Sequence, residues 1–492
     1  MATYRSPGVY VEEIPVFPPS VAEVETAIPA FVGYTQKAKD SLGETLTNTA
    51  FMITGFNEFE LYFGKSPAED PTAFTVDITE YKQGTEPSRF VVDVNTVTAT
   101  LSKHILHQSM KLYFANGGGP CYIVSVGDFS TAPDDVPLVA GIDVVASEDI
   151  PTILLVPEAV NLAGAKFTNV AEALIKQAST LKDRFVILDV PSTSIPKNSA
   201  NIKADVDKIR AISLDKEQRR YAAAYYPFLE TSYTYNDNQE FASTKFKTIK
   251  IVEHHLIKDG AAAVDAPVGS TFKGKTVADV LLASEVLYTR IKDMFEQHHL
   301  VLPPSAAMAG IYARVDESRG VWKAPANVGL ANVVKAVITI SRIDQDSLNI
   351  DDVAGKSINA IINMPGFGTQ VFGARTLDGN DKEWRYINVR RFVSVVEESI
   401  KKSINWAVFE PNTASTWVRV QAMIESYLFL KWRDGALAGA KPEQAYEVQV
   451  GLNKTMTADD ILEGLMIITI KLAVARPAEF IVLQIMQKAQ VS

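Results

Sequence analysis

The sequence predicts an α/β chain, α+β overall, with a middle α/β domain inserted between an extended N-terminal arm and a C-terminal domain of mixed sheet and helices. In the middle, short apolar runs of strand length alternate with stretches of helical periodicity, the pattern of crossover units and a mainly parallel sheet. Towards the C-terminus, long helical stripes come first and two apolar runs follow. The boundaries that these patterns predict are 1–21, 22–94, 95–360, 361–474 and 475–492.

The strongest strand pattern is RFVILDV at Arg184–Val190, in which an apolar core lies between two charged residues. Runs of this kind are typical of strands buried on both faces. Ala27–Thr35 is predicted to be a second buried strand. The other predicted elements are strands at Cys121–Val126, Thr152–Val156 and Tyr221–Tyr226, and helices at Phe167–Leu181, Ile202–Ile212 and Val277–Phe295.

The C-terminal region begins with two predicted helices, one capped by Asn388 and one at about Ser415–Leu437. The apolar runs Leu465–Val474 and Phe480–Met486 follow, and both are too short to cross a membrane. They are predicted to be strands. A strand that ends the chain needs a sheet to join, in its own subunit or in a neighbouring one.

Composition restricts the function classes. Of the 492 residues, 47% are hydrophobic and 22% are charged, the balance of a globular protein, and the net charge of −10 disfavours direct binding to nucleic acid. Cys121 is the single cysteine, which fits assembly in a reducing bacterial cytoplasm. The N-terminus lacks a signal-peptide pattern, and no apolar run reaches about eighteen residues, so no membrane insertion is expected.

One stretch carries an enzyme-like motif. Gly269–Thr276 matches the phosphate-binding loop G-x-x-x-x-G-K-[ST] letter for letter. In a true site the loop amides and Lys275 hold phosphates, and the Thr276 hydroxyl holds magnesium. Residues 260–268 read GAAAVDAPV, which is not the buried strand that such a loop follows. A surface turn before a helix is the favoured interpretation, and a P-loop nucleotide-binding enzyme is the alternative.

The remaining polar residues carry no catalytic or metal-binding pattern. The six histidines fall in three adjacent or closely spaced pairs, without a carboxylate or a cysteine at ligand spacing. The nucleophile elbow G-x-S-x-G does not occur, and Cys121 lies within a predicted strand. The sequence therefore predicts no catalytic residue, no metal, no cofactor and no enzymatic activity.

Several stretches together resemble the contractile tail sheath family of phage tails, R-type pyocins and extracellular contractile injection systems. The C-terminal region supplies EWRYINVRR, EESI, NWAVFEPN and PAEFIV, and the N-terminus supplies TYRSPGVYVEEI. Pro303–Asn327 and Ile362–Leu377 agree with the same family. The resemblance is clear at both ends and in the approach to the C-terminal domain, and it is faint from about Asp40 to Leu300.

The resemblance implies a structural subunit that polymerises as stacked hexameric rings around an inner tube and contracts to drive the tube through a target cell envelope. It implies contacts with further copies of the chain, with the inner tube protein, and with baseplate and tail-terminator or cap proteins, and it leaves room for paralogous sheath subunits. The particle would be a phage tail or a tail-like particle that is released from the cell. A plain surface filament is a third interpretation, disfavoured because no secretion signal is present.

Two sets of residues are predicted to make these contacts. Strand exchange between neighbours is assigned to Val9, Tyr10, Val11 and Ile14 in the N-terminal arm, and to Phe480, Val482, Leu483 and Ile485 in the C-terminal arm. The resemblance implies that the C-terminal domain, 361–474, faces the inner tube. The candidates for that contact are Lys401, Lys402, Lys431 and Arg433, because a local basic face can dock on an acidic tube.

Overall fold

The structure of the protein is a computed structural model. It describes residues 21–67, 69, 73–82, 89–96, 101–192, 199–235, 250–257, 264–265 and 274–480.

The strands of the described residues are, in chain order, β1 (Pro29–Gly33), β2 (Phe51–Ile53), β3 (Phe74–Lys82), β4 (Arg89–Thr96), β5 (Cys121–Ser125), β6 (Ile153–Leu155), β7 (Phe185–Asp189), β8 (Ala222–Tyr226), β9 (Leu229–Thr234), β10 (Lys250–Ile257), β11 (Val264–Asp265), β12 (His299–Leu302), β13 (Val328–Gly329), β14 (Val333–Ala336), β15 (Ile358–Met364), β16 (Gly368–Val371), β17 (Tyr446–Val450) and β18 (Ile468–Leu472). The helices are α1 (Phe56–Phe63), α2 (Leu106–Ala115), α3 (Asp135–Val145), α4 (Ala165–Leu181), α5 (Ser199–Arg210), α6 (Lys216–Arg219), α7 (Val277–Ala283), α8 (Glu285–Glu296), α9 (Ser305–Arg319), α10 (Arg342–Asn349), α11 (Ile387–Ser403), α12 (Ala414–Arg433), α13 (Pro442–Ala445) and α14 (Ala458–Leu462), with short 3-10 helices at Pro157–Asn161 and Asn405–Ala407.

The chain forms two compact units. The larger unit is Glu25–Arg391, and the smaller one combines Met1–Val24 with Phe392–Ser492. The chain therefore passes between the units twice, between residues 24 and 25 and between residues 391 and 392.

The larger unit is built on a nine-stranded sheet with the order β13-β16-β15-β8-β7-β6-β1-β5-β2. Its six central strands, from β15 to β5, pair in parallel. The strands at the two edges pair antiparallel. The prediction of an α/β fold with a mainly parallel sheet is confirmed. One of the parallel strands, β1, comes from the segment that precedes the predicted middle domain in the chain.

The parallel sheet is covered on both faces. Along β1, Ala30 and Val32 face one core, which α3, α4 and α5 complete, and Phe31 faces a second core completed by α2 and α9. The same alternation places Val186 and Leu188 of β7 in the first core. Strands buried on both faces read as continuous apolar runs, which explains why their positions were visible in the sequence.

Two smaller sheets belong to the larger unit. The order β11-β10-β3-β4 forms a four-stranded sheet that packs on α7 and α8 around Phe74, Val280 and Phe295. A three-stranded antiparallel sheet has the order β12-β9-β14. The single helix predicted at Val277–Phe295 was wrong: Ser284 is extended, with φ −159° and ψ 105°, and its hydroxyl accepts from the Leu287 amide to start a second helix.

In the smaller unit, the long helices α11 and α12 precede the antiparallel ribbon of β17 and β18. Helix α11 begins at Ile387, one residue before the predicted cap Asn388. The Asn388 side chain donates instead to the Trp322 carbonyl over 2.8 Å, a contact within the larger unit, so the capping prediction was wrong. Among the described residues, no helix is both long enough and apolar enough to span a membrane.

Candidate functional site

The smaller unit exposes many large apolar side chains. Those with more than about a third of their surface exposed are Val408, Phe409, Val418, Phe429, Leu430, Leu452, Leu462, Leu465, Ile467 and Phe480. Scattered single exposures are ordinary in soluble proteins, whereas grouped ones mark binding surfaces. Two of these side chains, Leu465 and Ile467, directly precede β18, and the Asn412 amide fixes the Leu465 carbonyl at 2.8 Å. Leu465 and Ile467 are therefore candidates for a contact surface beside β18.

The ribbon itself offers strand edges. Strands β17 and β18 pair from Tyr446 with Leu472 to Val450 with Ile468, and within the described part of the chain each pairs only with the other. A two-stranded ribbon is marginal by itself, and an unpaired strand edge is a template for a further strand. In β18, Thr469 and Lys471 are exposed and alternate with half-buried isoleucines. The edges of this ribbon are therefore a candidate site for extended segments.

The end of the N-terminal arm is fixed to the same unit by three contacts. The Ala22 and Val24 amides each donate over 3.1 Å, to the hydroxyls of Ser403 and Ser399 respectively. The Lys431 ammonium reaches the Glu23 carboxylate at 2.6 Å. Ser399 and Ser403 are four residues apart on α11, so they lie on one face of that helix. We call residues 22–24 the N-terminal root.

The start of the C-terminal arm is fixed close to the end of α12. The Ala438 amide donates to the Ala473 carbonyl over 2.7 Å, and the Ala475 amide donates to the Ala436 carbonyl over 3.0 Å. Leu437 and Val474 form the antiparallel bridge between these two bonds. We call residues 473–475 the C-terminal root. Beyond it, Phe480 belongs to no strand and its side chain is 68% exposed.

The structure therefore describes part of the predicted strand-exchange set. Of its members only Phe480 is described. The others, Val9, Tyr10, Val11, Ile14, Val482, Leu483 and Ile485, lie outside the described residues. What the structure adds are the two roots from which these segments continue.

The four basic candidates for the tube contact lie in different surroundings. Lys401 and Lys402 are on the last turn of α11 and share Glu398, at 3.2 and 3.5 Å. Arg433 is exposed at the end of α12, with Asp434 at 3.8 Å. Lys431 is different, because its side chain is only 9% exposed and its ammonium is paired with Glu23 inside its own subunit.

Sequence analysis missed the residues that hold the N-terminal root. Ser399 and Ser403 are two hydroxyl side chains four residues apart on α11, and this spacing was the local signal that could have indicated them. Glu23 gave no such signal, because its partner Lys431 is 408 residues away in the chain. Arg419 was also passed over; its guanidinium lies 4.4 Å from the Trp406 ring centre and shields that ring.

Residues 274–276 are the described part of the phosphate-loop motif, and Thr276 among them caps the start of α7. The Thr276 hydroxyl donates to the Asp279 carboxylate over 2.8 Å and accepts from the Asp279 amide over 3.2 Å. This is a capping box at the start of α7, and it lowers the pKa of Asp279 through the backbone and side-chain hydrogen bonds from Thr276. Residues 269–273 of the motif lie outside the described residues.

Buried ionisable groups in the larger unit are engaged in structural roles. Asp189, at the end of β7, accepts from the Ser305 amide over 2.6 Å at the start of α9, and burial raises its pKa to about 7. Glu158 accepts from the amides of Tyr34 and Ile105, and burial raises its pKa too. Burial likewise raises the pKa of the Cys121 thiol. In the part of the chain that the structure describes, no group of three or more His, Cys, Asp or Glu residues could hold a metal ion.

Comparison with known proteins places these features in a family. Residues 379–488 match the family model described as the phage tail sheath C-terminal domain. The tail sheath protein of Enterobacteria phage T4 is 27% identical over 139 residues, which are 28% of this chain and 20% of that protein. The chain thus spans about a fifth of the length of the curated relatives it matches.

Two solved assemblies are similar over almost the whole chain. One is the PVC sheath complex of an extracellular contractile injection system in the contracted state, with a TM-score of 0.61, 28% identity and 99% of each chain covered. The other is the helical sheath of the anti-feeding prophage in the contracted state, with a TM-score of 0.63, 29% identity, and 99% of this chain and 100% of that chain covered.

The class that the fold defines is a structural protein with the sheath fold. The predicted resemblance is confirmed: the chain is related to the contractile tail sheath family, and its C-terminal region carries the sheath C-terminal domain.

Proposed function

We propose that this chain is a structural subunit of a contractile tail sheath of the injection-system type, which polymerises as stacked hexameric rings around an inner tube and contracts. The observation that carries the proposal is the β17–β18 ribbon, whose outer edges have no strand partner among the described residues, in the unit that also anchors both terminal roots. The likeness to two contracted sheath assemblies supports it.

The segments beyond the two roots are long enough to form extended arms. Twenty residues precede Val21, and fully extended they would cover at most about 70 Å. Twelve residues follow Phe480 and would cover about 40 Å. Main-chain hydrogen bonds contribute about 1 kcal/mol each net, and repetition in a lattice multiplies the effect by avidity. Arms from two neighbours could therefore turn the ribbon into a four-stranded sheet.

Such contacts are heterologous, because an arm of one subunit meets a ribbon of another. Heterologous contacts build rings or open helical filaments, the two arrangements that a sleeve combines. A link through an extended arm also survives a rigid-body shift of the subunits, because the arm absorbs the rotation. An extended sleeve would be kinetically trapped before contraction.

The other members of the proposed assembly follow from the family. We propose an acidic inner tube as the partner of the exposed cations Lys401, Lys402 and Arg433, and baseplate and terminator or cap proteins at the ends of the sleeve. Assembly would take place in the bacterial cytoplasm, before the particle is released. The proposal keeps the predicted domain boundaries. They give an arm at 1–21, a core segment at 22–94, an outer domain at 95–360, a tube-facing domain at 361–474 and a second arm at 475–492.

Electron microscopy of the purified protein is the first test. Hollow sleeves of uniform width are expected from the full chain. Deletion of residues 2–14 should abolish them and leave the helical circular dichroism of the subunit unchanged, because in this proposal that segment binds a neighbouring copy of the chain. Dispersed subunits from the full chain, accompanied by ATP turnover, would favour the enzyme instead.

A cysteine pair tests strand exchange directly. One cysteine is placed within Gly8–Ile14 and one within Phe480–Met486, in a Cys121→Ser background, with each single-cysteine chain as the control. Oxidised sleeves should give covalent ladders of many subunits on a denaturing gel, whereas the controls should stop at dimers. A product that contains only internally bridged monomers would mean that both arms fold back on their own subunit.

A further inference from the structure

Helix α12 ends in a Schellman motif. The Ala436 amide donates to the Lys431 carbonyl over 2.9 Å, and the Gly435 amide donates to the Trp432 carbonyl over 3.0 Å. Gly435 adopts φ +88°, and a Cβ atom there would meet no atom within 4 Å. The glycine is therefore required by the left-handed backbone and not by crowding. This turn, Lys431–Ala438, is the point at which α12 reverses into the segment that pairs with the C-terminal root.

The N-terminal root reaches this turn through a side chain. The Lys431 ammonium is 2.6 Å from the Glu23 carboxylate, and it also lies 5.6 Å from the centre of the Tyr427 ring. The lysine side chain is 9% exposed and that of Glu23 is 38% exposed. A lysine held in this way is stiffer than one on an open surface, because its aliphatic stem is packed and only its partner is hydrated. It therefore fixes the position of Glu23 relative to the turn.

The C-terminal root reaches the same turn through the backbone. The Ala436 carbonyl accepts from the Ala475 amide over 3.0 Å, and the Ala438 amide donates to the Ala473 carbonyl over 2.7 Å. Ala436 thus uses its amide to close the Schellman motif on Lys431 and its carbonyl to hold Ala475. Three successive contacts lead from one root to the other: Glu23 to the Lys431 side chain, the Lys431 carbonyl to Ala436, and Ala436 to Ala475.

We propose that the Lys431–Ala438 turn is a common anchor for both terminal arms, with Lys431 as the positioning residue for the N-terminal one. The proposal rests on the strand exchange proposed above, in which each arm binds a different copy of the chain. Two copies held by one subunit would then be linked through one rigid turn. The part of a neighbour's displacement that reaches one root would pass to the other root through these three short contacts.

Each root also has hydrogen bonds that do not involve the turn, so a test must detect loosening of an arm and not its loss. Ser399 and Ser403 hold Val24 and Ala22 on α11, and the Ala473 amide donates to the Ala445 carbonyl over 2.8 Å. Loss of the turn should loosen both arms without detaching either one. Loss of the Lys431 ammonium alone should loosen only the N-terminal arm.

Four variants separate these effects. Gly435→Ala strains the left-handed position of the turn, and Gly435→Asn is its rescue, because asparagine tolerates that conformation. Gly464→Ala is the matched control: Gly464 has φ +78° and no atom within 4 Å of an added Cβ, and it ends α14 in the same motif, with the Leu465 amide donating to the Asp460 carbonyl. Lys431→Met keeps the packed stem and removes the charge.

The readout is hydrogen exchange with mass spectrometry on assembled sleeves, followed separately in peptides from 1–20 and from 476–492. Gly435→Ala should speed exchange in both peptides by about tenfold, the change that about 1.4 kcal/mol produces. Lys431→Met should speed it in the first peptide alone, and Gly464→Ala and Gly435→Asn should match the wild type. Faster exchange in one peptide only, or in neither, for Gly435→Ala would overturn the common anchor. If the wild-type arms exchange equally fast in sleeves and in dispersed subunits, the strand exchange itself fails, which is a distinct result.

Discussion

Arg391 and Asp316 form a buried ion pair with two parallel hydrogen bonds, and each side chain is only 4% exposed. Nη1 of Arg391 lies 2.9 Å from one carboxylate oxygen, and Nη2 binds the other. The guanidinium also lies 4.6 Å from the centre of the Tyr312 ring and donates to the Thr26 carbonyl over 3.2 Å. The chain enters the larger unit at residue 25 and leaves it at 391, so Arg391 ties both crossing points to the core of that unit.

We predict that Arg391→Ala lowers the free energy of unfolding of the dispersed subunit by about 3–5 kcal/mol, because it leaves the Asp316 charge buried and unpaired. Arg391→Lys should recover only part of this, since an ammonium cannot form the parallel pair of bonds. Urea unfolding followed by circular dichroism provides the measurement. The exposed Arg433→Ala serves as the control and should change stability by less than about 0.5 kcal/mol. An equal loss in both variants would mean that the buried pair contributes nothing specific.

Asp189 predicts a pH dependence of stability. Burial raises its pKa to about 7 from an ordinary 3.8, so the folded state binds this proton more tightly than the unfolded state does. Its contribution to stability is complete below about pH 4 and is lost as the pH rises to 7. At about 1.4 kcal/mol per pKa unit, the loss approaches about 4 kcal/mol.

Asp189→Asn should remove that slope, because the amide oxygen can still accept from the Ser305 amide and carries no charge. We expect the thermal midpoint of this variant to exceed that of the wild type by an amount that grows between pH 4 and pH 7. The exposed Asp207→Asn is the control and should run parallel to the wild type. A difference between Asp189→Asn and the wild type that stays constant across this range would show that Asp189 is ionised throughout.

The capping box at α7 separates the structural role of the phosphate-loop motif from the enzymatic one. Thr276→Ala should destabilise the subdomain of α7 and α8 by about 1 kcal/mol, and Thr276→Ser should retain the cap. Lys275→Ala should leave stability and assembly unchanged. Calorimetric titration with magnesium and ATP distinguishes the two roles. If the wild type binds nucleotide and Lys275→Ala does not, the enzyme interpretation is favoured.

The exposed cations of the smaller unit make a prediction about the tube. Reversal of Arg433 to Glu should give sleeves that lack tubes, with unchanged subunit stability, because this side chain is solvated. Reversal of Lys401 and Lys402 together to Glu should also give sleeves that lack tubes, with a small loss of stability because both replacements lie beside Glu398. Lys431→Glu is expected to lower stability more strongly, since this side chain is only 9% exposed and the change places two carboxylates together at the N-terminal root. Co-purification of the tube protein with sleeves is the assay. Full tube occupancy in both exposed reversals would place the docking face elsewhere, for instance at the acidic turn Asp459–Glu463.

The sequence by itself determined the fold class and most of the parallel strands. Strands such as β5 and β7 are buried on both faces, so their apolar runs are continuous and stand out locally. Helices α4 and α12 were visible because one apolar stripe recurs at a fixed spacing. The motifs NWAVFEPN and PAEFIV were enough for the family resemblance, because a motif is a property of neighbouring residues. In each case the signal lies within a window of a few turns of chain.

Tertiary structure alone decided the features that join distant residues. The helical spacing placed Lys431 on the apolar face of α12, but its pairing with Glu23 could not be predicted, because the two residues are 408 positions apart in the chain. The break at Ser284 was hidden, since a serine hydroxyl competes for backbone amides only when the chain around it allows a turn. The shared turn between the two roots required contacts across more than four hundred residues in one case and about forty in the other. Contacts of this kind are set by folding of the whole unit, which is why the sequence pattern contained no trace of them.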